Sequence, residues 1–211
     1  MLIEEGSPLE EKLLNLLKDE YGRERDGVHV SDILLCIRQN VYRKLQPTKI
    51  SEKELSFYAL GEGAHLSLQR LVENGGAVTE KVITLNGITG TVDVFDGVPI
   101  EIKTTRSHDD STKSFHITQL KYYMAITKSN VGILLYFMMN DYERPFRFRT
   151  VTLSDKELDE ARSEIKERGA LFTEALLSRD PFKAPHVKNE SDLAWKCKYC
   201  QYKEQCWSKE N

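Results

Sequence analysis

Four cysteines restrict how this chain can fold more than any other feature of its sequence. Cys36 stands alone towards the N-terminus, whereas Cys197, Cys200 and Cys206 lie together close to the C-terminus. Three cysteines so close together in a polar tail are poorly explained as buried, unligated side chains. Four thiolates, in contrast, suit either structural Zn²⁺ or an iron–sulfur cluster. Spacing alone leaves both open, but one distant and three clustered thiols favour iron–sulfur, because zinc sites commonly use two local pairs. Either centre would join the two end segments of the chain and contribute directly to folding.

Composition and charge exclude several classes of protein. Of the 211 residues, 40% are hydrophobic and 30% are charged, which is typical of a soluble globular domain. No apolar run is long enough to cross a membrane, and the acidic first residues lack a signal-peptide core, so we expect a cytoplasmic protein with reduced thiols. The net charge of −3 gives no global attraction to nucleic acid, so nucleic-acid binding would need a local basic surface.

The pattern of apolar residues predicts an α/β fold. A helix that carries Cys36 and runs towards Lys44 is expected to be capped by Ser31 or Asp32. Amphipathic spacing predicts further helices over residues 8–20, 51–73, 114–127 and 155–177. Enrichment in β-branched and aromatic residues predicts strands over 78–85, 89–95, 99–105, 131–138 and 146–153, with loop beyond Pro181. This order predicts a mixed sheet core flanked by helices.

An acidic hairpin is predicted between the second and third strands, where the chain carries an Asp-Gly turn signal. Opposed side chains of an antiparallel pair share a face, so the turn decides whether Asp93 can meet Glu101 and Lys103. A two-residue turn would place Asp93 on the opposite face. A three-residue loop at 95–97 would pair Asp93 with Pro99, and the three polar side chains would converge. We therefore expect a bulged hairpin with its glycine in the left-handed conformation.

These residue types suit phosphodiester cleavage. The carboxylates of Asp93 and Glu101 are ligands that Mg²⁺ or Mn²⁺ prefers, and such an ion polarises a phosphoryl oxygen and lowers the pKa of bound water. The ammonium of Lys103 can orient that water or neutralise charge that develops on phosphorus. The pattern is permissive by itself, because charged residues on the solvated face of an ordinary strand would look the same.

Two predicted helices add candidate residues to this site. His65 closely follows Gly61 and Gly63, which disfavour helix and are better explained by a close approach of another backbone. Its imidazole could bind metal beside the carboxylates, although a lone helical histidine is more often a core or surface residue. Gln119 and Tyr123 are four positions apart and so share a helix face, where they could contact a phosphate, position the lysine or pack on the sheet.

The combination of these motifs resembles the RecB-like nucleases of the PD-(D/E)xK superfamily, in particular the CRISPR-associated Cas-four exonuclease family. The resemblance spans residues 36 to 206, although the proline of the superfamily name has no clear counterpart before Asp93. It implies a restriction-endonuclease-like fold, Lys103 as the catalytic lysine, and Gln119 and Tyr123 as the family's Gln-x₃-Tyr motif. The implied ligands of Mn²⁺ or Mg²⁺ are His65, Asp93, Glu101 and the carbonyl of Ile102. The implied [4Fe–4S] ligands are Cys36, Cys197, Cys200 and Cys206.

The resemblance also implies an activity and its setting. The family cleaves DNA, chiefly single-stranded, as an exonuclease and in some members as an endonuclease, and it serves CRISPR spacer acquisition together with integrase proteins. Residues 1–211 would then form one nuclease domain, in which 1–50 and 181–211 make the cluster-bearing subregion and 51–180 the nuclease core. Oligomeric state stays open. Candidate DNA contacts are Arg23, Arg25, Arg38, Arg43, Lys44, Arg106, Arg144, Arg147 and Arg149, with Phe115, Tyr122 and the tail aromatics stacking on bases.

Two other hypotheses fit parts of the sequence. One is a non-catalytic DNA-binding or adaptor subunit of an adaptation or repair complex, in which the cluster is architectural. The other is a zinc-stabilised structural domain with no role on nucleic acid. The presence of Asp93, Glu101 and Lys103 together favours the nuclease, because a site no longer used for catalysis would tolerate the loss of one of them.

Overall fold

The computed structural model describes residues 8–23, 25–106, 113–190 and 192–208. Its sheet contains β1 Val28–His29, β2 Val78–Leu85, β3 Ile88–Asp96, β4 Val98–Thr105, β5 Val131–Met138 and β6 Phe146–Thr152. Its helices are α1 Pro8–Tyr21, α2 Val30–Leu34, α3 Ile37–Leu45, α4 Glu52–Glu73, α5 Ser114–Thr127, α6 Asp155–Leu177, α7 Trp195–Lys198 and α8 Lys203–Trp207. A 3₁₀ turn covers Pro181–Lys183.

The sheet is mixed, as the sequence predicted. Strand β2 runs antiparallel along one edge of β3, and the other edge of β3 pairs with parallel β1 at its start and with antiparallel β4 at its end. Strand β4 pairs in parallel with β5, which pairs antiparallel with β6. A parallel pair needs a crossover connection, and α5 supplies it. The hairpin and the crossover helix therefore meet at β4.

Helices cover both faces of the sheet. On one face the main core contains fully buried side chains from α2, α5, β5 and α6, such as Ile33, Leu120, Leu134 and Phe172. On the other face, Leu68 and Val72 of α4 pack against a smaller cluster formed by Val94, Ile102 and Leu135. Each fully buried aliphatic or aromatic side chain contributes about 1.5–3 kcal/mol, so these layers hold the strands in register.

The predicted helix around Cys36 is wrong in two respects. The chain forms two short helices, and Cys36 lies between them in an extended conformation as the N-cap of α3. The carbonyls of Ile33 and Leu35, which a continuous helix would use, accept hydrogen bonds from Arg168 of α6 at 2.6 Å each. The N-cap of α2 is His29 and not Ser31 or Asp32. These differences arise because a distant helix satisfies the carbonyls at the break.

Short elements account for the remaining differences from the predicted secondary structure. Strand β1 has two residues, too few to leave a periodic pattern in the sequence. The tail beyond Pro181, predicted as loop, contains the 3₁₀ turn and helices α7 and α8. The long helices α4, α5 and α6 lie where the apolar spacing placed them, with Ser51 and Ser154 as the N-caps of α4 and α6. Among the described helices, none combines the length and apolarity needed to cross a membrane.

Candidate active site and cysteine cluster

The turn of the β3–β4 hairpin is tighter than the sequence analysis predicted. Asp96 pairs with Val98, which leaves Gly97 alone between them with a left-handed φ of 70°. The predicted left-handed glycine is therefore confirmed, but the predicted three-residue loop and the pairing of Asp93 with Pro99 are wrong. Pro99 pairs instead with the residue two positions after Asp93.

This change in register keeps the predicted face. The observed pairing is shifted from the predicted one by two residues, and side chains alternate with a period of two along a strand. Asp93, Glu101 and Lys103 consequently lie on a common face of the hairpin. The convergence that motivated the prediction is present, although a different turn produces it.

The carboxylate of Asp93 fills a gap where the two strands separate. The last ladder pair before the gap joins Val94 to Ile100. Beyond it, Asp93 Oδ2 accepts a hydrogen bond from the Ile102 amide at 2.7 Å, so the side chain replaces a backbone partner. Asp93 Oδ1 lies 3.5 Å from His65 Nδ1, which α4 presents to the hairpin. The separation of the strands thus holds Asp93 by Oδ2 and leaves Oδ1 facing His65.

A chain of hydrogen bonds connects the hairpin to α5. Lys103 Nζ donates to Glu101 Oε1 at 2.6 Å and to Gln119 Oε1 at 2.9 Å. Gln119 Nε2 donates in turn to the Tyr123 hydroxyl at 3.0 Å. The structure therefore brings the predicted lysine, carboxylate and Gln-x₃-Tyr residues together. The amide of Gln119 orients the ammonium of Lys103, because an oxygen of fixed position restricts the rotation of a flexible lysine.

Glu101 is the most electrostatically perturbed carboxylate of the site. Its side chain is 2% exposed, and Oε2 has no hydrogen-bond partner within the described residues. Burial raises the pKa of Glu101 to about 7, because the favourable charge of Lys103 offsets only part of the lost hydration and Asp93 adds repulsion. A buried oxygen without a partner is costly, and a bound cation would satisfy it.

The donor set suits a hard divalent cation. As the described side chains stand, no three His, Cys, Asp or Glu groups are arranged to enclose a metal ion. Nevertheless, one imidazole and two carboxylates converge here, and carboxylate oxygen is the ligand that Mg²⁺ and Mn²⁺ prefer. Burial lowers the pKa of His65, but the hydrogen bond and charge of Asp93, together with Glu101, outweigh it and raise that pKa. A metal would therefore displace protons when it binds.

Sequence reasoning missed residues that support this site. Gln69 of α4 is buried and donates to the Asp93 carbonyl at 3.1 Å and to the Glu80 carboxylate. It follows His65 by four positions, so helical spacing from His65 could have identified it. A Cβ on Gly90 would lie 2.8 Å from Tyr123 Cε1, so this glycine lets the tyrosine ring rest on β3. Only the tertiary packing reveals that requirement.

A second missed pair lies beside Lys103. His116 precedes Gln119 by three positions on α5, and its Nδ1 lies 2.9 Å from the Tyr136 hydroxyl. Tyr136 pairs with Lys103 across the parallel β4–β5 ladder. Burial and the charge of Lys103 lower the pKa of His116 to about 3, so its imidazole is neutral at physiological pH.

The expectation about the glycines before His65 is wrong. A Cβ on Gly61 would make an ordinary contact of 3.8 Å with the Thr104 hydroxyl, and a Cβ on Gly63 would meet nothing within 4 Å among the described residues. No backbone in the described ranges approaches either position closely. Neither glycine permits a tight crossing, and only Gly61, four positions before His65, lies on the same face of α4 as the imidazole.

The cysteines lie near enough to influence one another electrostatically, where the start of α3 meets the C-terminal tail: Cys197 and Cys200 act on Cys36, and Cys206 acts on Cys197. All four lie in the described ranges and none forms a disulfide; Cys36 and Cys206 are buried, and Cys197 and Cys200 are half-buried. The tail is joined to α3 by stacking of Tyr202 on Tyr42, with ring centroids 5.3 Å apart, and by a 2.9 Å hydrogen bond from the Tyr202 hydroxyl to the Gln46 carbonyl.

The electrostatics of this cluster suit an anionic centre. Burial raises the pKa of Cys36 and of Cys197, and the charges of other cysteines raise both further, while backbone hydrogen bonds at Gln39 and Val187 lower the pKa of Cys36. Cations surround the thiols and act in the opposite direction: Lys188 and Lys203 on Cys197, and Lys196 and Arg43 on Cys200. Cysteine sulfurs with cations beside them have the chemistry that a thiolate-held metal or iron–sulfur cluster would need.

The structure changes the set of candidate DNA contacts. Arg38 and Tyr122 are buried, so their predicted contacts with DNA are wrong. Arg147 is engaged in an ion pair with Asp141 at 2.6 Å. Arg25 remains a candidate, because its charge acts on Tyr123 and therefore reaches the site. In the tail, Trp195 and Tyr199 are exposed, and Trp195 lies 6.3 Å from Phe115 between ring centroids.

Comparison with known proteins agrees with this geometry. The chain is similar to the CRISPR-associated exonuclease Cas4 of Saccharolobus solfataricus, with 27% identity over 203 residues that cover 89% of this chain and 90% of the relative. Its fold matches the crystal structure of SSO0001, with a TM-score of 0.60, 24% identity and coverage of 93% and 94% of the two chains. The alkaline exonuclease LHK-Exo from Laribacter hongkongensis matches with a TM-score of 0.52 and 16% identity over 72% of this chain and 92% of that one. The sequence pattern of the PD-(D/E)XK nuclease superfamily matches residues 37–207, so the chain belongs to that superfamily.

Proposed function

We propose that this protein is a metal-dependent deoxyribonuclease that acts chiefly on single-stranded DNA, as an exonuclease with some endonuclease activity. The observation that carries the proposal is the convergence of Asp93, Glu101 and Lys103, in which a buried Glu101 oxygen has no hydrogen-bond partner among the described residues. The relative from S. solfataricus is named an exonuclease, and LHK-Exo has been solved in complex with dAMP. Both facts support DNA as the substrate.

In this proposal, His65, Asp93, Glu101 and the Ile102 carbonyl hold Mn²⁺ or Mg²⁺. When bound, that ion supplies Lewis-acid polarisation of the phosphate and lowers the pKa of water. Lys103 places its positive charge where negative charge accumulates on the phosphoryl oxygens, and Gln119 holds the ammonium in that position. Tyr123 fixes the Gln119 amide, so the Gln-x₃-Tyr motif acts by positioning Lys103.

We also propose that Cys36, Cys197, Cys200 and Cys206 hold a [4Fe–4S] cluster that joins the cluster-bearing subregion, residues 1–50 and 181–211, to the nuclease core at 51–180. The cation-ringed thiols support an anionic centre at this position. A role in CRISPR spacer acquisition with integrase proteins rests on similarity to the S. solfataricus exonuclease.

The test of the nuclease proposal is cleavage of end-labelled DNA by protein purified without oxygen. With Mn²⁺, linear single strands should shorten progressively and closed circular single strands should be cut much more slowly, whereas EDTA should abolish both reactions. Folded, cluster-loaded protein that binds DNA without cleaving it under any divalent metal would contradict the proposal and support the non-catalytic adaptor.

The affinity for Mn²⁺ should depend on pH. Glu101 must lose its proton to bind metal, and its pKa is raised to about 7, so below pH 7 each bound ion displaces at least one proton. We expect the apparent affinity to fall by at least about tenfold per pH unit below 7, because His65, whose pKa is also raised, must lose a proton as well, and to level off at higher pH. Isothermal titration with Mn²⁺ in two buffers of different ionisation enthalpy measures both affinity and proton release. Affinity that is constant from pH 6 to 8 would contradict the assignment of Glu101.

A further inference from the structure

Arg38 is a buried cation that the nuclease site does not use. It lies on α3, two positions after Cys36, and is 8% exposed. Burying a guanidinium is costly unless hydrogen bonds and negative charge compensate for the lost water. Its contacts therefore indicate what it stabilises.

Those contacts connect α3 to two segments near the end of the chain. Arg38 Nε donates to the Ala184 carbonyl at 2.9 Å, and its backbone amide donates to the Pro185 carbonyl at 3.1 Å. The guanidinium carbon lies 5.0 Å from the centroid of the Phe182 ring. The Nε hydrogen bond and the ring contact hold the guanidinium against the 3₁₀ turn, with Nη1 directed at the tail.

Nη1 donates to Cys206 Sγ at 3.7 Å. A neutral thiol is a weak hydrogen-bond acceptor, so it would stabilise a buried guanidinium only slightly. A thiolate that ligates a metal carries negative charge, and a charge-assisted hydrogen bond to it is much stronger. The geometry is therefore best explained when Cys206 is an anionic ligand.

The charge of the whole centre leads to the same conclusion. Four thiolates around a divalent metal or a [4Fe–4S] core leave net negative charge in a partly buried site. The lysines near the cluster approach it from the tail, whereas Arg38 approaches from the core side and is the buried member of the cationic ring. Hydrogen bonds to cluster sulfurs and local positive charge raise the reduction potential of such a centre.

We propose that Arg38 is a positioning residue of the cysteine-held metal centre, which donates a hydrogen bond to the Cys206 thiolate and neutralises part of the charge of the centre. The inference rests on the proposed cysteine-held cluster and is independent of the nuclease chemistry. Arg38 would slow the loss of metal from the centre and raise the reduction potential of the centre.

The test compares wild type with two variants. Arg38→Met has a side chain of similar length but no hydrogen-bond donor or charge, and Arg38→Lys keeps the charge but lacks the planar guanidinium with its several donors. Arg70→Met is the control, since it removes an exposed arginine of α4, a helix of the nuclease core. Each protein is purified without oxygen. The measurements are iron and sulfide per chain, the rate of iron release to a chelator, the potential by spectroscopic redox titration, and folding by circular dichroism.

Arg38→Met should release iron at least about tenfold faster than wild type and should titrate at a more negative potential, because a charge-assisted hydrogen bond has been lost. Arg38→Lys should lie between the two, and Arg70→Met close to wild type. Folded Arg38→Met with the potential and release rate of the control would overturn the inference; if Arg38→Met does not fold, wild-type behaviour of Arg38→Lys would do so.

The metal content of wild type separates this inference from the proposals on which it rests. If wild type contains zinc, the iron–sulfur proposal fails, and the rate of zinc release by the same variants decides the role of Arg38. If wild type binds neither metal, the inference fails together with the cluster. DNA cleavage is measured separately, so none of these results bears on whether the protein is a nuclease.

Discussion

Replacement of Lys103 with Ala should lower the rate of DNA cleavage by about 10²–10³-fold, the usual cost of removing one preorganised electrostatic donor. The ammonium of Lys103 contacts the Glu101 carboxylate and the Gln119 amide. Without it, nothing neutralises the charge that develops on the phosphate at this position, and the Gln-x₃-Tyr pair has no lysine to hold. Loss of the lysine also removes the favourable charge on Glu101, so its pKa should rise further.

The measurement is single-turnover cleavage of end-labelled single-stranded DNA at saturating Mn²⁺, so that weaker metal binding does not mimic a chemical defect. Lys156→Ala is the matched control, because Lys156 lies on α6 with its side chain 86% exposed. Both variants should keep the metal centre proposed at the cysteines. Cleavage by Lys103→Ala at the rate of Lys156→Ala would exclude this hairpin as the active site.

Replacement of Cys206 with Ser should remove the proposed metal centre and destabilise the fold. A metal held by residues far apart in sequence contributes its binding free energy directly to folding. For a chain of this length, each kcal/mol corresponds to about 2–4 °C in melting temperature, so loss of several kcal/mol should lower it by about 10 °C. The tail should also detach from α3, because Cys206 packs in the same cluster as Tyr42 and Tyr202.

Iron and sulfide analysis, visible absorbance near 400 nm and thermal unfolding measure this effect. Ser208→Ala is the control, since it changes a side chain two positions further along the tail that bonds to the Gln205 carbonyl. Lys103→Ala gives a reciprocal control, with cleavage lost and cluster retained. Full metal content in Cys206→Ser would show that Cys206 is not a ligand and would also remove the basis for the role of Arg38.

Regular spacing made the large elements predictable. Helices α4, α5 and α6 repeat apolar residues over many turns, and strands β2 to β6 carry long runs of β-branched and aromatic residues, so a local pattern indicates each. Side-chain alternation likewise constrained the hairpin, because Asp93, Glu101 and Lys103 share a face in any register of the same parity. The turn itself was predicted wrongly, since a two-residue change in register leaves that alternation unchanged.

The sequence by itself therefore determined the fold class, the acidic hairpin with its lysine and the one-plus-three cysteines, because each depends on local spacing and residue type. Only the tertiary structure decided that the helix predicted around Cys36 is divided where Arg168 bonds to its carbonyls, and that Gly90 makes room for Tyr123. It also turned Arg38 from a candidate DNA contact into a buried partner of Cys206. These features depend on contacts between residues far apart in the chain, and no local periodicity records which distant group will satisfy a buried charge or carbonyl.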